Sequence, residues 1–126
     1  MHKITLFLAV LAASVIFCGC ASVKVTEASE LSNQKLVPGE TTVAHLNAEN
    51  WGFYFFMFPL ISGSTAEPGK IVFLEDTVTT QNVVSMLTNK AKEMKGAKTV
   101  NIVSRHNPMP FWLGVREVQV SANVVK

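Results

Sequence analysis

The stretch Glu117–Val124 constrains the fold of this chain most. Val118, Val120, Ala122 and Val124 alternate with Glu117, Gln119, Ser121 and Asn123. A period of two sends the valines and the alanine to one face and the polar side chains to the other. That pattern predicts a half-buried antiparallel strand, apolar toward a covering layer and polar toward water. The covering layer is also legible. Val83, Val84, Leu87, Ala91 and Met94 recur at helical spacing and form one apolar stripe. Thr79 or Thr80 can cap the start of this helix, because a hydroxyl there accepts from a backbone N–H one turn on. Gly96 stands where a terminator is wanted, and Lys90, Lys92 and Lys95 complement the negative end of the helix dipole.

Four further segments read less sharply. Thr41–Asn47 predicts a first strand. Trp51–Ile61 is a second, aromatic-rich and closed by Pro59 and Ser62-Gly63-Ser64. It shows no clear alternation, so it demands cover on both sides. Residues 62–70 form a loop, and Ile71–Leu74 a short strand or packed connection. After the helix, Thr99–Val103 is a strand, and Arg105–Trp112, with Pro108 and Pro110, a loop that cannot pair as a ladder. Leu113 and Val115 are out of phase with Val118, which implies a bulge near Arg116 or a segment that only flanks the strand. Together these predict an α+β fold: a small antiparallel sheet of about four strands with one helix packed on one face.

The N-terminus obeys different rules. His2 and Lys3 precede the apolar run Ile4–Phe17, broken only by Thr5 and Ser14, and Cys18-Gly19-Cys20 closes it. This is the layout of an export signal, too short and wrongly flanked for a comfortable membrane span. The segment Phe17-Cys18-Gly19-Cys20-Ala21-Ser22 resembles the lipobox of bacterial lipoproteins. Gly19 fills the position that must be small; Phe17 excludes Cys18 from the same role and stands where leucine is usual. The resemblance implies that Cys20 receives diacylglycerol as a thioether, that residues 1–19 are removed, and that fatty acyl chains such as palmitate anchor the mature chain. Ala21 in place of aspartate implies sorting to the outer membrane, with the domain in the periplasm. The expected organisation is a signal peptide over 1–19, a polar tether over 20–40 ending at Pro38-Gly39, and a globular domain over 41–126. A short helix around Glu27–Lys35 would fall within the tether.

The half from Thr79 to Lys126 resembles in layout the tRNA-associated-locus-like lipoproteins and the YbjQ-like heavy-metal-binding proteins, where a helix ending in a turn such as Lys95-Gly96-Ala97-Lys98 leads into two closing strands. No metal-ligand motif carries over with that layout, and no cofactor is expected. His45 and His106 are the only histidines of the mature chain, and with Glu49 they lack the spacing of a metal site. No catalytic residues stand out. There is no nucleophile elbow, and Glu75-Asp76 sit before a helix start, where its dipole favours negative charge. An enzyme is therefore not expected. The net charge is only +2, and the lysines at 90, 92, 95 and 98 gather at a helix end, so nucleic acid is not an expected partner. The aromatics remain. Trp51, Phe53 and Tyr54, with Phe111 and Trp112 of the proline loop, are candidate partner-binding residues, with Trp51 and Trp112 meeting in one patch framed by Arg105 and His106. The expected role is a lipid-anchored structural or protein-interaction module of the cell envelope, held to the membrane through Cys20 and docking an envelope protein or the membrane surface. The alternative is a periplasmic module that binds a small ligand or metal.

Overall fold

The computed structural model describes residues 20–32, 34, 36–96, 98–108 and 112–126. The expected signal peptide over 1–19, and Phe111, lie outside the described residues. Six strands form one antiparallel sheet: β1 (Ala21–Glu27), β2 (Thr42–Phe55), β3 (Phe58–Gly63), β4 (Ile71–Phe73), β5 (Lys98–Asn107) and β6 (Leu113–Val125). A single helix, α1 (Thr80–Glu93), packs on one face. The α+β expectation holds, with six strands where about four were expected.

The spine of the sheet is β2. Along one edge it pairs with β6 from Thr42↔Val125 to Phe55↔Leu113. Its other edge is shared. β1 takes Ala44–Asn50, and β3 takes Gly52–Phe55. Beyond β3 lies β4, and beyond β6 lies β5, giving the order β4-β3-β2-β6-β5 with β1 in line with β3.

Five sequence expectations change. The polar tether does not run free from residue 20, because Ala21–Glu27 form β1. The cause is an alternation easily taken for polar linker: Ala21, Val23 and Val25 turn toward the core, and Ser22, Lys24 and Thr26 turn away from it. A chain of turns over Ala28–Ser32 replaces the short helix. The first strand and the aromatic run are one continuous strand as far as Phe55, followed by a tight turn at Phe56-Met57 in which Phe56 takes φ 54°. Pro59 does not close the run; it lies in β3 opposite Tyr54, beside a register irregularity where a missing N–H is tolerated. Likewise Arg105–Asn107 belong to β5.

Helix and strand meet as their patterns dictate. Thr79 is the N-cap, accepting from Asn82 N at 3.2 Å. Val83, Met86, Leu87 and Ala91 pack on Leu46, Ala48, Val118, Val120, Ala122 and Val124. The left-handed residue after α1 is Lys95, at φ 57°, rather than Gly96. Gly96 is needed for space, since a Cβ there would run into Val124.

A buried polar knot closes the core at one end. Asn50, fully buried, donates from Nδ2 to the carbonyls of Gly63 (3.2 Å) and Thr77 (3.0 Å). The Thr77 hydroxyl bonds to Gly63 O and Ser62 Oγ, and Ser62 Oγ donates to Glu75 O. The knot therefore joins the spine, the end of β3 and the lead into α1. Gly63 sits where β3 meets β1 head-on, and a Cβ there would strike the Ala21 amide, the Cys20 carbonyl carbon and the Asn50 side chain. Gly63→Ala should lower stability by roughly 1–3 kcal/mol, since the obstruction is backbone and cannot rotate away. The check is a denaturant midpoint that falls while the slope stays constant.

Candidate docking surface

The two faces of the sheet exchange character partway along β2. From Ala44 to Glu49 the helix side of β2 is apolar and the open side polar. Open-face neighbours there include His45 opposite Asn123, Glu49 opposite Ser22, and Gln119 on β6. His45 Nδ1 donates to Asn123 Oδ1 at 2.7 Å, and Ser22 Oγ donates to Glu49 at 3.1 Å.

Beyond Asn50 the pattern inverts. The open face now carries Trp51, Phe53 and Phe55 on β2, with Val115 opposite Phe53 and Leu113 opposite Phe55. Ile61 of β3 pairs with Phe53, and Phe73 of β4 with Ile61, so the apolar surface continues across the sheet. The turn extends it with Phe56, Met57 at 89% exposure and Phe58 at 70%. Trp112 joins by an edge contact to Phe55, ring centres 5.8 Å apart, and a tilted one to Phe56 at 6.3 Å, with the Phe55 and Phe56 rings 4.9 Å apart. No charged residue occurs from Trp51 to Ala66 or from Asn107 to Val115. A contiguous apolar surface of this kind marks a contact site on a folded protein.

The helix side of this half is polar instead. Tyr54 is buried, 2% exposed, and donates its hydroxyl to Asp76 Oδ1 at 2.6 Å. Arg116 pairs with Asp76 Oδ2 at 3.2 Å and lies 5.7 Å from the centre of the Tyr54 ring. Both partners of that ion pair are partly exposed, so it contributes little by itself. Burial, then the Asp76 bond and charge, push the Tyr54 phenol well above its ordinary value.

Of the sequence candidates, Trp51 and Phe53 lie on the apolar surface and Trp112 at its end. Tyr54 does not: it faces the opposite way and serves the fold. Trp112 packs on Phe55 and Phe56, while Trp51 stands four residues up β2, opposite Glu117. The aromatic run does not receive the cover on both sides that its composition led us to expect: Phe55, Phe56, Met57 and Phe58 are exposed, and they join Leu113 and Val115, which were not candidates. Leu113 and Val115 carried a signal, their phase. No bulge explains it: β6 pairs without a break from Leu113 to Val124, and the two side chains simply belong to the other, apolar face.

Cys20 stands at the margin of this surface. Trp51 N donates to Cys20 O at 2.9 Å, which continues the β1–β2 ladder by one pair and places Cys20 opposite Trp51. Cys20 is 2% exposed.

Other chemistry has little to build on. His45 is in register with Asn123 and His106 with Val118, positions of opposite phase on β6, so the two histidines do not converge. Among the described residues, no group of three or more His, Cys, Asp or Glu is placed to hold a metal. A shallow groove of about 270 Å³ between β1, the loop after β3 and α1 is lined by Val23, Pro68, Met86, Lys90 and Glu93 among others. Among the described residues no helix is long and apolar enough to cross a membrane. No family model, curated protein or solved structure matches the chain.

Two outcomes follow. Met57→Glu and Phe58→Glu should each leave folding stability within about 0.5 kcal/mol of the parent, because these side chains are exposed and contribute little to the core. Thermal melts check this. Tyr54 is the single tyrosine, so tyrosinate absorbance reports it alone. Because its folded value is raised, stability is intact below the ordinary pKa of 10.0 and declines as pH rises above it. Tyrosinate should appear in the native protein at higher pH than in the urea-unfolded chain, and Tyr54→Phe should lose this part of the alkaline decline.

Proposed function

We propose that this protein is a lipid-anchored structural or interaction module of the cell envelope, attached through Cys20 to the outer membrane and working through its apolar sheet end rather than through catalysis. The observation that carries this is a coincidence of position. The lipobox-like cysteine, read from the leader alone, falls in register with Trp51 at the boundary of the aromatic surface.

Physical chemistry supports the pairing. A single acyl chain holds a protein only marginally, whereas two or more hold it firmly, so a doubly or triply acylated Cys20 fixes the domain at a membrane. Large exposed aromatics carry a solubility penalty that a docking role explains, since Trp and Phe give wide contact at low entropic cost. The polar half of the open face, with His45, Glu49 and Gln119, stays available to water or to an envelope partner.

The test is the mass of the protein extracted from bacterial membranes. The expected result is a chain that begins at Cys20 and carries acyl groups, and a Cys20→Ser variant that loses both the added mass and the membrane fraction. An unmodified wild-type chain beginning elsewhere refutes the anchor.

A further inference from the structure

We propose that the occupant of the aromatic surface is the lipid bilayer itself, and that the domain lies against the membrane by the half of the open face running from Trp51 to the Phe56-Met57 turn. The inference rests on lipid attachment at Cys20 and names what the docking surface meets.

The first argument is distance. No tether separates the anchor from the fold, because the ladder of β1 already includes Cys20 through its bond from Trp51 N. Directly opposed residues of an antiparallel pair stand roughly 5 Å apart. Acyl chains on Cys20 therefore enter the bilayer within one strand spacing of Trp51. Ala21 turns toward the core, so strand alternation sends a group attached to the preceding residue, Cys20, to the Trp51 side. Whatever surface surrounds that point is held at the headgroups.

The second argument is the chemistry of that surface. From Trp51 the aromatic strip runs about 14 Å to Phe55 at the usual rise per residue, and the turn carries it further with Met57 and Phe58. Tryptophan and phenylalanine suit the boundary between headgroups and acyl chains, where an amphipathic or apolar ring is accommodated. Charge is absent where contact would occur and returns at the Cys20 level and above, with Glu117, Glu49, Lys24 and Arg105. A protein partner would more commonly be met by an apolar centre with a polar rim on every side. Here the charged groups of the open face, Glu117, Glu49, Lys24 and Arg105, flank the patch on the side away from the turn, the arrangement of a wedge that enters one phase.

The third argument is concentration. With the anchor in place, contact between surface and bilayer is intramolecular, so modest insertion energy is enough to set orientation. Docking then fixes which way the polar half of the sheet faces.

The experiment uses the mature protein purified from membranes, its mass confirming acylation, reconstituted into vesicles of phosphatidylethanolamine and phosphatidylglycerol with or without brominated acyl chains. The chain has two tryptophans, Trp51 and Trp112, and both belong to the surface in question, so intrinsic fluorescence reads it without labels. Brominated lipid should remove most of the emission, aqueous iodide should quench little, and Phe58→Glu, equally acylated and equally stable, should recover much of the bromine-quenched signal. An acylated protein whose emission ignores brominated lipid and is open to iodide overturns the orientation and leaves the anchor standing. The same result in vesicles, with iodide protection in native membranes and photo-crosslinks from position 58 to a protein, assigns the surface to a protein partner and also overturns it. An unacylated mass removes the anchor and the inference with it, and is told apart by the mass alone.

Discussion

A strand and a helix of equal residue number differ in length by more than twofold, and the structure turns on that mismatch. β2 and α1 each contain 14 residues. At extended rise β2 spans roughly 45 Å, while α1 spans about 21 Å. One helix therefore covers only half of the spine. The half it covers is the ordinary core, from the Gly96–Val124 contact to the Asn50 knot. The other half lies beyond the helix start and is organised on different terms.

The Asn50–Ser62–Thr77 knot is the seam between the two. Burying an amide and two hydroxyls is costly unless each is bonded. Here the Asn50 amide nitrogen and both hydroxyls are bonded, to Gly63, Thr77 and Glu75, while Asn50 Oδ1 is buried without a partner, and the knot fastens β3 and the approach to α1 onto the spine. Past it, the side facing the helix layer is filled by Tyr54, Asp76 and Arg116, which bond among themselves. Apolar side chains on the same strands accordingly point the other way. The exposed aromatic surface follows from reversing the pattern rather than from a defect in the core, and it begins at the level where Cys20 enters the sheet.

The edges follow similar logic. β4 is only three residues long, and β5 carries an irregularity at Val100–Val103, with Asn101 at φ 55°. Short and bulged edges discourage unwanted strand addition. The remaining edge of β2 is closed by placing β1 and β3 end to end, and Gly63 makes that junction possible because no side chain fits between them. Most of the protein's large apolar exposure lies at one end of one face, with Ile102 and Val103 of β5 exposed away from it.

Several features were legible in the residues alone. The alternation of Val118–Val124 and the stripe from Val83 to Ala91 specified a one-sided sheet under one helix, and the cap was narrowed to Thr79 or Thr80, because these are local patterns that need no partner to be read. β1 was hidden because its alternating valines are diluted by Ser22, Lys24 and Thr26, which resemble a linker until β2 supplies the pairing edge. In β2 the residues under the helix are Ala44, Leu46 and Ala48, small enough to admit α1 closely and so too weak to announce a strand face. The phase of Leu113 and Val115 was visible, yet its meaning depended on where the helix stops. Sequence by itself determined which side chains share a face, since that is set by the backbone repeat of two or 3.6 residues. Only tertiary structure decided which face is covered along each part of the sheet, because cover depends on the reach of a helix that rises 1.5 Å per residue over strands that rise more than twice as far.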